Sequence, residues 1–206
     1  MNDEELIELL NQRRALIVHC SRSGKGDVGE DGLLFPEDLQ TAIRICATES
    51  RELSCSLVWP AHVKTFGVIG IILRPRSVAS ITSVSPHDSG TSFDGSGKRA
   101  GSGVPFSRDT VERTFANTRD YNEWTVTDAD TIGIFVNLYE PLEVAREIPF
   151  ADVPGYDPSM GDLGTTIGPV RITLKEVIDA FAPLPVYGFL GTEIVKIDID
   201  AAALYS

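Results

Sequence analysis

A chain of 206 residues with 42% hydrophobic and 23% charged side chains is long enough to bury a core and too apolar to be disordered throughout. Its formal net charge of −12 argues against non-specific binding to a phosphate backbone, which draws its affinity from basic side chains. Three cysteines without CxxC spacing (Cys20, Cys46, Cys55) argue against a disulfide framework or a zinc site.

The chain starts Met1-Asn2-Asp3-Glu4-Glu5, the opposite of a basic signal-peptide start. No apolar run approaches the ~20 residues that span a bilayer. The expectation is a reduced, cytoplasmic protein that makes no use of a membrane. Asn2 to Arg13 reads as an N-terminal helix (residues 1–13), with Asn2 as cap, Glu5 at the capping-box position and Leu6, Ile7, Leu9 and Leu10 as an apolar stripe. Arg14 to Cys20 reads as a short buried strand and 21–32 as a loop. Pro36 suits a first helical turn, with Glu37 and Asp38 near the positive end, giving a helix to Thr48 whose inner face is Leu39, Ala42, Ile43 and Cys46.

Leu53–Trp59, Phe66–Leu73 and Val78–Val84 are short, apolar and β-branched runs bounded by Pro or polar residues, hence strands. Residues 85–107 hold mostly Ser, Gly, Asp and Lys and are expected to form a mobile loop. Arg108–Thr118 reads as a short helix and Ile132–Leu138 as a strand. Pro141–Glu147 reads as a helical turn, and Ala151–Gly168 as a connection rich in Pro, Gly and Asp. Thr173–Phe181 is a helix with Thr173 and Glu176 in capping-box spacing, ended by Pro183 and Pro185; Val186–Leu190 and Glu193–Ile199 are closing strands. The whole predicts one α+β domain over 1–206, with a mixed central sheet, interspersed helices and long Gly/Ser-rich loops.

The segment with the most chemical content is Tyr121-Asn122-Glu123-Trp124. A carboxylate between two aromatics at the mouth of a buried strand pair is costly to desolvate unless something satisfies or uses its charge. Alternation puts Tyr121 and Glu123 on one face and Asn122 and Trp124 on the other, so Glu123 shares its face with a ring able to stack on a base or nicotinamide. The plainer reading is a strand glutamate paired with Arg119 or a lysine. His19 closes the first strand, where ligands are often held by side chains and free amides, or it is a half-buried histidine bonded to backbone. Ser23-Gly-Lys-Gly26 and Gly95-Ser-Gly-Lys-Arg99 lack P-loop spacing. Ser85-Pro-His-Asp88 has triad residue types without a nucleophile elbow. His19, His62 and His87 have no ligand spacing, so no metal is expected.

Val18-His-Cys-Ser21 and Tyr121-Asn-Glu-Trp-Thr-Val126 together resemble the toxin-type ADP-ribosyltransferases, in particular their DNA-targeting branch. In that family an early strand ends in a His followed by a hydroxyl residue that holds NAD, and a late Glu opening a Glu-x-x-Val strand is catalytic. The residues after Ser21 depart from the family's Asn-Leu continuation. The resemblance implies NAD as substrate and Glu123 as the catalytic carboxylate. It implies that His19 and Ser21 hold a ribose or the nicotinamide amide, that Tyr121 stacks on the ring, and that Arg22 neutralises the pyrophosphate. The acceptor, protein or nucleic acid, stays open. The competing class is a non-catalytic acidic binding module, an inhibitor or immunity-type protein masking a basic partner surface.

Overall fold

A computed structural model describes residues 1–20, 33–49, 51–87, 104–118, 120–161 and 164–197. Local signals place the helices. In α1 (Asp3–Arg13) the Asn2 side chain accepts from the Glu5 amide while the Glu5 carboxylate accepts from the Asn2 amide. The same reciprocal box, Thr173 with Glu176, opens α4 (Leu174–Phe181). Each cap contributes ~1 kcal/mol by satisfying amides that have no partner inside the helix. α2 (Glu37–Thr48) starts one residue after Pro36, which occupies the cap position, and its fully covered face is Leu39, Ala42, Ile45 and Cys46. Ile45 takes the place expected of Ile43, which is only partly buried. α3 (Arg108–Ala116) is capped by Ser107.

Among the described residues there are ten strands, in chain order β1 (Leu16–His19), β2 (Leu53–Val58), β3 (Ile69–Pro75), β4 (Ile81–Ser85), β5 (Glu123–Val126), β6 (Ala129–Asn137), β7 (Glu143–Pro149), β8 (Thr165–Arg171), β9 (Val186–Phe189) and β10 (Ile194–Ile197). Eight form one mixed sheet in the order β10-β9-β6-β3-β1-β2-β5-β4, in which only β6 and β9 run parallel. The long apolar runs lie at its centre: Ile69 to Leu73 and Gly133 to Asn137 are buried without interruption, as strands covered on both faces should be. The molecule is therefore the expected α+β domain with a mixed central sheet. Among the described residues no helix is long and apolar enough to cross a membrane.

Some expectations fail. Val78–Ser80 is a 3-10 turn, so the strand expected from Val78 starts at Ile81. Pro141–Glu147 is not a helical turn: from Glu143 onward the chain is β7, laddered against β8 from Glu143↔Arg171 to Pro149↔Thr165. β8 begins inside the segment read as a pure connection. Long-range pairing of the two strands overrides the helical preference of Glu, Ala and Arg. The span from 88 to 103, most of the loop expected over 85–107, lies outside the described residues, and Ser85 itself ends β4.

Packing on the sheet is lopsided, and this decides where a site can lie. The four described α-helices all contribute to one large apolar cluster with Ile17, Leu57, Ile71, Trp124 and Val136. The opposite side carries a smaller cluster of strand residues, Val18, Cys20, Val58, Ile72, Phe135 and Phe189, to which no described helix contributes.

Candidate functional site

Glu123 opens β5, and the residues on either side of it are locked. Asn122 is fully buried and clamps β2 with both ends of its amide: the Leu57 N–H donates to Oδ1 at 2.8 Å and Nδ2 donates to the Leu57 carbonyl at 2.8 Å. Trp124 is also fully buried, in the large cluster, pairing with Cys55 on β2 and Val84 on β4. Burying a ring of that size is worth on the order of 5 kcal/mol as an upper estimate. With Asn122 and Trp124 fixed on one side, alternation turns Tyr121 and Glu123 to the other, which is the separation expected from the sequence. Glu123 is half-buried and Tyr121 exposed.

The carboxylate does not stand alone. The Ser54 hydroxyl of β2 donates to Glu123 Oε1 at 3.0 Å. On the other flank, Ser85 of β4 is the Cα partner of Glu123 and is buried. Glu123 is thus set between hydroxyl-bearing strands, on the side of the sheet that no described helix covers. Nothing in the sequence linked Ser54 to Glu123. The available signal was Ser54-Cys-Ser56, two hydroxyls on one face of a strand whose other face is Leu53, Cys55 and Leu57.

His19 ends β1, as expected, but its ring is turned away from Glu123. Val18 and Cys20 belong to the smaller cluster and Ile17 to the larger, so His19 points with Ile17 into the helix-covered side. The ring is fully buried, and Nδ1 lies 2.7 Å from the Ser54 carbonyl. A carbonyl only accepts, so Nδ1 carries the proton. His19 and Glu123 therefore meet at the same residue from opposite sides: one binds the backbone of Ser54, the other its side chain. Ser21 and Arg22, the other two residues expected to hold a ligand, lie outside the described residues.

The end of β1 lies close to this face. Cys20 is buried, and burial pushes its thiol up to about 12, which makes it an inert packing group rather than a nucleophile. Beside it runs 64–67, where the Thr65 hydroxyl donates to the Gly67 carbonyl at 2.6 Å. A Cβ on Gly67 would lie 3.3 Å from the Cys20 carbonyl, so this segment is seated directly on the end of β1. It carries Phe66, whose ring stacks on Tyr121 with centroids 5.0 Å apart and planes 14° from parallel.

A groove of about 380 Å³ opens elsewhere, between α1 and the ends of β1 and β3, lined by Leu6, Ile7, Leu10 and Ile132; none of the candidate residues lines it. Among the described residues no cluster of His, Cys, Asp or Glu could hold a metal ion. No family model, no curated protein and no solved structure matches the chain.

Proposed function

We propose that the protein is an NAD-consuming ADP-ribosyltransferase or NAD glycohydrolase of toxin or defence type, with Glu123 as its catalytic carboxylate. The observation that carries this reading is the Ser54–Glu123 bond on the sheet face to which no described helix contributes. It holds a half-buried carboxylate at the opening of a Glu-x-x-Val strand, with β2 between it and the strand that ends in His19. Three free, buried cysteines suit a reducing, cytoplasmic setting.

In the reaction the glycosidic C–N bond of NAD breaks and its electron pair leaves with nicotinamide. Positive charge then grows on the ribose, where a preorganised carboxylate is worth most. Glu123 supplies that charge or takes the proton of the attacking acceptor or water. Tyr121 offers a ring face to the ligand. His19, with its ring buried, acts through Ser54 as a positioning residue. Ser21 and Arg22 keep the roles the family resemblance implies, on the ribose or nicotinamide amide and on the pyrophosphate.

Glu123→Gln keeps shape and reach but removes the charge. It is expected to fold normally and to release nicotinamide from NAD at a rate lower by ~10²-fold or more. Wild-type protein that neither binds nor consumes NAD with protein, DNA and RNA acceptors would sink the proposal. The acidic binding module would then take its place, with salt-sensitive co-purification of a basic partner as its signature.

A further inference from the structure

The groove beside α1 plays no part in the reaction proposed above, and local contacts hold it open. At its start α1 is tied to the chain after β3, where the Val78 N–H donates to Asp3 Oδ1 at 2.6 Å. At its end Arg14 takes a left-handed conformation, and the Ala15 N–H donates back to the Leu10 carbonyl at 2.8 Å as the chain turns into β1. Glu5 of the same helix pairs with Arg108 of α3 at 2.9 Å. Fixed at both ends, α1 leaves about 380 Å³ between itself and the ends of β1 and β3. Leu6 of the lining is buried, Leu10 and Ile132 are partly buried, and Ile7 is 52% exposed. The charged groups of the lining are Asp3, Arg74 and Arg76. Asp3 is bound to the Val78 amide, and Arg76 is engaged by two carboxylates, Asp128 at 2.6 Å and Asp130 at 3.0 Å. Asp130 is the Cα partner of Arg74 across the ladder, yet its carboxylate goes to Arg76. Arg74 is exposed and has no ion-pair partner among the described residues.

We infer that the groove binds a medium-chain aliphatic carboxylate, its chain against Leu6, Ile7, Leu10 and Ile132 and its head group on Arg74. A guanidinium takes a carboxylate through two parallel N–H···O bonds, and the carboxylates nearest to Arg74 are already engaged elsewhere. A neutral ligand would leave that cation unused. Among the described residues the lining holds no aromatic ring, so a planar ligand has nothing to stack on, whereas a flexible chain fits an aliphatic wall. The volume lies near the lower end of the ~300–1,000 Å³ of ligand pockets, which suits one short chain rather than the paired chains of a membrane lipid. Because α1 is fixed at both ends before a ligand arrives, little ordering opposes binding. The inference stands on the groove and is independent of the transferase reading.

The test is calorimetric titration at neutral pH with hexanoate, octanoate, decanoate and methyl octanoate, each below the concentration at which it forms micelles. Each added methylene is expected to tighten binding about four-fold until the groove is filled. Arg74→Gln is expected to weaken octanoate about ten-fold or more, down to the level of the methyl ester, and to leave the ester unchanged. Ile7→Glu, at an exposed position, is expected to weaken acid and ester alike by about ten-fold or more. Ile167→Glu, a partly exposed apolar position on β8 outside the groove, is expected to bind as wild type. Thermal midpoints check that each variant is folded. Octanoate bound equally by wild type and Arg74→Gln, affinity independent of chain length, or no binding by the wild type overturns the inference. Methyl octanoate bound as tightly as octanoate also overturns it, and assigns the groove to an esterified chain. A concentration-dependent dimer in light scattering that Ile7→Glu abolishes, with no carboxylate bound, overturns it in favour of a second copy of the chain.

Discussion

Glu123 takes its position from Ser54, and Ser54 is bonded through two different groups. Its carbonyl receives the His19 ring and its hydroxyl serves Glu123. Ser54→Ala removes only the second bond, since the carbonyl belongs to the backbone. A hydrogen bond to a charged acceptor is worth about 1.5–3 kcal/mol, so the nicotinamide release proposed for this protein is expected to fall about ten-fold or more while the thermal midpoint hardly moves. A Ser54→Ala rate equal to wild type would mean that the hydroxyl does not aim the carboxylate. Part of this was legible from the chain. The split of Tyr121 and Glu123 from Asn122 and Trp124 follows from the period of a strand, which depends on sequence alone. The partners were not legible, because Ser54 and Leu57 lie 69 and 65 residues away from Glu123 and Asn122. Register, which no local pattern states, brings them together. Phe66 was hidden for the same reason: read in sequence, it is the start of an apolar run.

At the level of elements, what the chain announces is what is stabilised locally. The three helices opened by Asn2, Ser107 and Thr173 carry reciprocal caps within four residues. Ile69 to Leu73 is apolar enough to be central in any arrangement. β7 and β8 fail that test. Val144 and Ala145 are both buried with no clean alternation, and β8 contains Gly168 and Pro169, two residues that ordinarily break a strand. Gly168, whose ladder partner is Arg146, lies under the Ile148 side chain: a Cβ at that position would come 2.5 Å from Ile148 Cδ1. Gly70, in the middle of β3, has a sharper version of the same constraint next to the candidate site. A Cβ there would lie 2.6 Å from Cys20 Sγ and 2.7 Å from the His19 carbonyl, and the second contact is with backbone that has no room to yield. Gly70→Ala is therefore expected to cost ~1–3 kcal/mol by forcing β1 and β3 apart. Urea unfolding should show a lower midpoint at unchanged slope. A midpoint equal to wild type would mean that the end of β1 is not held as tightly as the contacts imply.

Across the whole molecule the buried His62 and two capping carboxylates push stability the same way with pH. His62 is buried against Trp59, ring centroids 4.5 Å apart, and burial holds its pKa below the ordinary 6.5. In the folded state it therefore resists protonation, whereas in the unfolded chain it takes up a proton near pH 6.5. The unfolded state binds more protons in that window, so stability rises with pH and falls as the solution is acidified below about 6.5. Glu5 and Glu176 act lower on the scale. Backbone hydrogen bonds at their helix caps, from Asn2 and Thr173 respectively, hold both carboxyls below the ordinary 4.5. Their contribution is present above that value and disappears as pH drops through the depressed one. The protein should consequently lose stability in two stages on acidification, the first belonging to His62. Denaturant midpoints measured between pH 7.5 and 5.5 should fall in wild type and fall less steeply in His62→Gln, which carries no titrating ring at that position. Equal slopes in the two proteins would assign the upper stage to a different group, and a flat wild-type profile would show that His62 accepts its proton as readily in the fold as in the unfolded chain.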